Sequence, residues 1–193
     1  GNKIWTRQLG TNTNDEGWCI STDSSGNIYV AGFTNGGLDG NTYQGGADIV
    51  LIKYDSSGSK IWTRQFGTSS IDVIRGAATD SSGNIYLSGA TSGGLGGINQ
   101  CGVDIVLIKY DSSGSQIWIR QFGTPFDDVS ESVATDSSGN IYVTGWTQGG
   151  IDGNFLTNQG GDDIILAKYD SIGNQIWTRQ LGTAGHDIGY GVA

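Results

Sequence analysis

Short apolar segments rich in Ile, Val, Tyr, Trp and Thr alternate along this chain with clusters of Gly, Asn, Asp and Ser. That is the pattern of short strands separated by turns. In the first unit, residues near 17–22 predict strand A, 27–33 strand B, 48–54 strand C and 60–66 strand D. Asp23-Ser24-Ser25-Gly26-Asn27 and Asp55-Ser56-Ser57-Gly58-Ser59 predict two tight hairpin turns. In each, Asp and Ser can bond nearby amides and the glycine supplies a positive φ. No segment has a convincing helical period. Strand C carries the strongest constraint. Ile49, Val50, Leu51 and Ile52 point alternately to opposite faces, yet all are apolar. A sheet with one wet face would alternate, so both faces of this one have to be covered.

The pattern repeats. Lys3–Thr11 returns at Lys60–Thr68, Gln116–Thr124 and Gln175–Thr183. The isoleucines of these copies, Ile4, Ile61, Ile117 and Ile176, are spaced by 57, 56 and 59 residues. Thr22–Val30 recurs from Thr79 and Thr135, and Asp48–Asp55 from Asp104 and Asp163. The units are approximately 12–68, 69–124 and 125–183, with partial units 1–11 and 184–193. Small four-stranded antiparallel sheets packed face to face predict an all-β fold, a β-propeller over 1–193. A stacked β-sheet solenoid is the alternative.

Composition adds limits. The chain has 193 residues, of which 34 are Gly, with no Gly-X-Y period. Its Tyr, Trp, Ile and Val content is too high for a disordered tail. Net charge is −9 and the basic residues are scattered singly. Nucleic acid and anionic membranes, which call for clustered Lys or Arg, are not expected partners. No apolar run approaches the roughly 20 residues that span a bilayer, so no membrane insertion is expected. Methionine is absent, which suggests a processed chain, a fragment or part of something longer. Cys19 and Cys101 have no metal-ligand spacing, and whether they pair is open. Cys19 aligns with Gly76 and Ser132, which predicts a small, buried inner-strand residue.

The succession GNIYVxGxT, a Gly-rich loop, DIVLIKYDSSG and IWTRQxGT resembles the bacterial SBBP-type β-propeller repeat, in three complete copies plus two partial ones. The resemblance implies a multi-repeat bacterial protein, often secreted or attached to the cell surface. It brings no catalytic residues. A closed propeller needs about four to eight blades. The ring is therefore expected to be completed by further repeats of the same chain or by other copies of it.

Length variation locates the candidate site. The B–C loops hold 13, 12 and 15 residues, and the rest of each period is 44 residues in all three repeats. In a four-stranded meander the B–C loops and D–A crossovers share one face. If the protein binds a glycan or a protein ligand, that face is the expected place. Asp15, Asp72, Asp128 and Asp187 recur in the crossovers and read as structural acceptors of amide bonds. Three residues later stand Trp18, Arg75, Glu131 and Tyr190, one chemistry per repeat, which would ring the mouth of a central channel. The loops add Asp39, Asn41 and Tyr43, then Asn99 and Gln100, then Asp152, Asn154 and Phe155. Asp39 and Asp152 are candidate Ca²⁺ ligands, although repeat two has Gly96 there and the pattern fits neither calcium loop. No other cofactor is expected.

The ladders Trp5/Trp62/Trp118/Trp177 and Arg7/Arg64/Arg120/Arg179 read as packing between blades, with the Arg stem on an aromatic and its head on a carboxylate. Catalysis has little support. His186 is the single histidine, and the pairs Asp127/Asp128 and Asp162/Asp163 are adjacent, so that in a strand they point apart. Two functions remain: a non-catalytic structural or binding module of a bacterial extracellular or surface protein, or a glycan-acting hydrolase or lyase using the same face.

Overall fold

The computed structural model describes residues 1–151 and 158–193. Among the described residues twelve strands form three antiparallel meanders, which we call blades. Blade 1 contains β1 (Asp15–Thr22), β2 (Ile28–Thr34), β3 (Asp48–Tyr54) and β4 (Lys60–Phe66). Blade 2 contains β5 (Asp72–Thr79), β6 (Ile85–Thr91), β7 (Asp104–Tyr110) and β8 (Gln116–Phe122). Blade 3 contains β9 (Asp128–Thr135), β10 (Ile141–Thr147), β11 (Asp163–Tyr169) and β12 (Gln175–Leu181). The C and D strands fall where the sequence puts them, whereas strand A starts two residues earlier because the crossover aspartate already pairs with Thr34.

The turns form as their residues dictate. Asp80 Oδ1 accepts the amides of Ser82 and Asn84, each at 2.9 Å, while Oδ2 accepts Asn84 Nδ2 and Tyr86 Oη. Asp23 and Asp136 repeat this with Tyr29 and Tyr142. In the C–D turn Asp55 Oδ1 accepts from Ser57 and Ser59. Each inner strand carries a bulge opposite a strand-B glycine. A Cβ at Gly89 would sit 2.0 Å from the Val73 carbonyl oxygen, so only glycine lets the strands approach there.

Both faces of strand C are used. Ile49 and Leu51 join Ile74, Ile85, Leu87, Val106 and Ile108 between blades 1 and 2. Ile105 and Leu107 join Val133, Ile141, Val143 and Ile165 between blades 2 and 3. Each fully buried Ile or Leu contributes about 1.5–3 kcal/mol. The blades come together along β1, β5 and β9, stitched by Thr79 Oγ1 on Thr22 O and Thr135 Oγ1 on Thr79 O. Blades that converge on their inner strands are laid out radially, as in a propeller. Strand C is buried along its whole length in blades 1 and 2, and in blade 2 strand B is buried throughout as well. On blade 1 Ile20 is 65% exposed, and on β11 buried residues alternate with half-buried ones. Among the described residues these blades have a complete neighbour on one side only.

The outer edges are held by a clasp. Arg64 stacks on Trp62 with its guanidinium carbon 5.0 Å from the ring centroid. Its Nε then donates to Gly114 O at 2.9 Å and its Nη2 to Ser113 O at 3.2 Å, in the C–D turn of the next blade. Arg120 does the same to Gly173 O at 2.9 Å and Ile172 O at 3.1 Å. Lys53 and Lys109 reach Ser112 O and Ser171 O at 2.8 and 3.0 Å. The cation thus meets turn carbonyls and not the expected carboxylate. Oδ1 of Asp55 and of Asp111 is taken by the serines of its own turn, and the arginine of the preceding blade meets the glycine carbonyl of the turn. Gly114 is needed for this as well, since its φ is +82° and a Cβ would meet Trp62 at 3.0 Å.

Charged hydrogen bonds of this kind contribute about 1.5–3 kcal/mol. Arg64→Ala and Arg120→Ala should each lower stability by about 2 kcal/mol. Arg179→Ala, whose guanidinium among the described residues donates only to its own Thr178 carbonyl, should stay within about 0.5 kcal/mol. Urea denaturation midpoints of the three variants check this.

Candidate functional site

The meander puts the uniform hairpin turns at one end of the blades and the B–C loops and D–A crossovers at the other. A belt of backbone bonds ties that second end together. Asp72 N donates to Ala47 O at 2.8 Å, Asp128 N to Val103 O at 2.7 Å and Asp187 N to Asp162 O at 2.6 Å. The crossover aspartates take the structural role expected of them. Asp15 accepts Thr11 N, Thr11 Oγ1 and Thr34 Oγ1. Asp72, Asp128 and Asp187 accept the amide and hydroxyl of Thr68, Thr124 and Thr183. Burial raises the Asp128 carboxyl above its ordinary range; the bonds from Thr147 and Thr124 oppose this and the nearby Asp104 charge adds to it.

Above this layer three of the four variable positions meet. Arg75 Nη1 lies 2.6 Å from Glu131 Oε1, and its guanidinium carbon lies 5.3 Å from the centroid of Trp18. Trp18 rests edge-on against Phe33 at 5.0 Å and donates from Nε1 to Glu16 Oε2 at 2.7 Å. Trp146 Nε1 donates to the same Glu131 oxygen at 3.2 Å. Trp18, Arg75 and Glu131 line a pit of about 390 Å³, and the buried Arg75 Nε has no hydrogen-bond partner. Tyr190 is not brought into this group and stands 73% exposed.

The loop candidates are placed separately. Asp39 pairs with Lys60 and accepts Thr63 Oγ1 at 2.6 Å. The Lys60 bond is the main cause holding its carboxyl below the ordinary range. Asn41 Nδ2 donates to Leu38 O, and Tyr43 Oη to Gly46 O. In blade 2 Asn99 Oδ1 accepts Cys101 N, and Gln100 N donates to Asp104 Oδ2. Asp152, Asn154 and Phe155 lie outside the described residues. Among the described residues no three His, Cys, Asp or Glu side chains converge as metal ligands.

Two features escaped the sequence. His186 Nδ1 lies 2.8 Å from Asp162 Oδ2, whose other oxygen accepts Gln148 Nε2. The belt, which sets 162 beside 187, brings this pair together. Asp48, Asp104 and Asp163 are fully buried, and each carries a buried Oδ1 without a hydrogen-bond partner. Among the described residues no helix is long and apolar enough to cross a membrane.

The model of the SBBP β-propeller repeat matches residues 4–39, 61–96 and 117–152. The chain belongs to this family. It is 23% identical over 235 aligned positions to an uncharacterised WD repeat-containing protein, L264, of Acanthamoeba polyphaga mimivirus. That alignment covers 96% of this chain and 17% of the relative. It is 28% identical over 186 positions to the regulatory protein FlaEY of Caulobacter vibrioides, covering 86% of this chain and 20% of that one. This SBBP chain therefore spans at most a fifth of the curated relatives it matches. A crystal structure of a protein of unknown function from Bacteroides caccae aligns with a TM-score of 0.49 at 12% identity, over 93% of this chain and 50% of that one.

Both cysteines are free. Cys101 is exposed, whereas burial pushes the Cys19 thiol up to about 12. A thiol reagent such as DTNB at neutral pH should label Cys101 rapidly in the folded SBBP chain and Cys19 only on unfolding. Mass spectrometry of the labelled peptides checks the order.

Proposed function

We propose that this chain is a non-catalytic binding module of a bacterial extracellular or surface repeat protein. It would recognise a glycan or a protein at the end carrying the B–C loops and D–A crossovers. The observation that supports this best is the Trp18–Arg75–Glu131 pit, in which three side chains from three blades are aimed at one place. An aromatic ring, a planar guanidinium and a carboxylate form a surface suited to polar ring-shaped or peptide ligands. Glu131 already accepts from Arg75 and Trp146, which fits a residue that shapes a surface better than one that shuttles protons. The extracellular setting rests on the family resemblance.

The rival reading, a glycan hydrolase or lyase, has one observation in its favour. The His186–Asp162 pair stands on the same end of the blades. His186 is 72% exposed, however, and no hydroxyl or thiol bonds its ring among the described residues.

A glycan array run with and without Ca²⁺ tests the proposal, with mass spectrometry of the eluted ligands. Binding without turnover is expected, with Trp18→Ala and Arg75→Ala each weakening it at least about tenfold. Released fragments that depend on His186 would favour the enzyme.

A further inference from the structure

We propose that the two aspartates facing each other at each junction between blades hold one proton between them, and that release of this proton to water loosens the junction.

The two members of a pair come from opposite sides of the contact. At the junction of blades 2 and 3, Asp104 opens β7 and Asp128 opens β9, and both are fully buried. A Cβ at Gly123 would lie 2.4 Å from Asp104 Oδ1 and 2.8 Å from Asp128 Oδ2, so these oxygens face each other across the bare glycine. The junction of blades 1 and 2 repeats this with Asp48, Asp72 and Gly67, at 2.5 and 3.1 Å.

The two members are bonded differently. Asp128 takes three donors: Thr147 Oγ1 on Oδ1, and Thr124 N at 2.5 Å and Thr124 Oγ1 at 2.9 Å on Oδ2. Asp104 Oδ2 accepts Gln100 N at 3.0 Å and Gln121 Nε2 at 2.8 Å, whereas its Oδ1 has no hydrogen-bond partner. Asp48 is bonded alike by Gln44 N and Gln65 Nε2, and its Oδ1 is also without a partner. A buried carboxylate oxygen with no donor is costly, and a second carboxylate beside it adds like-charge repulsion. One proton relieves both. Placed on Asp104 Oδ1, it turns that atom into a donor toward the Asp128 carboxylate and leaves the pair with one negative charge instead of two.

Among the described residues no cation does this instead. On the elements that meet at blades 2 and 3, Arg120 and Lys109 bond the Gly173 and Ser171 carbonyls at the hairpin end, and Glu131 is bonded by Arg75 and Trp146. Asp127, a further acid in the crossover, accepts the Val103 amide, and Cys101 in the B–C loop is exposed. At blades 1 and 2, Lys53 and Arg64 bond the Ser112 and Gly114 carbonyls, and Lys60 bonds Asp39.

Asp15 is the comparison. It holds the same position as Asp128 and takes the same three bonds, but it is less buried. Burial raises its carboxyl, yet the Thr34 and Thr11 bonds outweigh that and leave it below the ordinary range. At Asp128 burial and the Asp104 charge prevail, and the carboxyl stands above it. Folded Asp128 therefore keeps its proton where the unfolded chain has lost it. Stability falls as pH rises from the ordinary value of 3.8 through the folded one. The turn aspartates Asp23, Asp80 and Asp136 are held below 3.8, so their contribution is lost on the acid side instead.

Thermal unfolding at about pH 4 and about pH 8, with and without Asp104→Asn, tests this. The amide keeps an oxygen for Gln100 and Gln121 and puts an N–H where the proton sits. Asp104→Asn should raise the unfolding midpoint at pH 8 by about 3 °C and shift it by less than about 1 °C at pH 4. Asp48→Asn should behave alike at the other junction. Asp128→Asn leaves one oxygen for three donors and should lower the midpoint at both pH values. Should Asp104→Asn fail to fold, ¹³C NMR of the aspartate carboxyls in the unaltered chain decides. One carboxyl carbon per junction should keep the shift of a protonated acid above about pH 5, where ordinary aspartates are ionised. Aspartates that are all ionised there overturn the proposal. So does an Asp104→Asn variant that gains no more at pH 8 than at pH 4. A midpoint that Ca²⁺ or Na⁺ raises at pH 8, and no longer raises in Asp104→Asn, also overturns it, because a cation would then hold the pair.

Discussion

A strand that is apolar on both faces cannot stand in a sheet of its own. Ile49–Ile52, and their counterparts in β7 and β11, lie in sheets only four strands wide, too small to curl over and hide themselves. Each blade is therefore stable only against the next, and most of the structure serves that contact. Inner strands bulge opposite glycine to come together. Turn aspartates accept the amides of their own turns and hold the hairpins in shape. Outer-strand arginines, stiffened over tryptophan, close on the glycine carbonyls of the next turn. Hydrophobic burial supplies the bulk of the energy without direction, and the clasps set how one blade is registered on its neighbour.

That constraint also makes the two ends of the blades different. Residues at the hairpin end are occupied in registering blades and cannot vary freely. The opposite end is anchored by the Asp–Thr layer and the backbone belt, so side chains above it are free to differ. Trp18, Arg75 and Glu131 occupy one structural position in three blades, and radial packing is what makes neighbours of residues so far apart in sequence. The side chains at this position can change one blade at a time while the scaffold beneath stays fixed.

Much of this was legible in the sequence because the repeat shows each signal several times. The three-fold DIVLIKY-type run fixed strand C and its two covered faces, and loop-length arithmetic located the variable end. The position shared by Trp18, Arg75 and Glu131 was visible too, but not that Arg75 bridges the other two. That depends on blade spacing, which no linear pattern encodes. The arginine ladder was placed correctly between blades but given the wrong acceptor. Arg64 and Arg120 meet the Gly114 and Gly173 carbonyls, and that depends on how the turn of one blade faces the outer strand of the blade before it. His186 and Asp162 stand apart in the sequence, and the belt that joins them pairs segments more than twenty residues distant.

Amide hydrogen exchange followed strand by strand tests most directly whether blades are stable only through their neighbours. The account predicts that protection peaks in β6 and β7, the central strands of the blade covered on both faces, and falls outward to β1 and β12. Three blades with the same internal profile, β1 as protected as β5 and β12 as β8, would show that each sheet stands by itself and would contradict it.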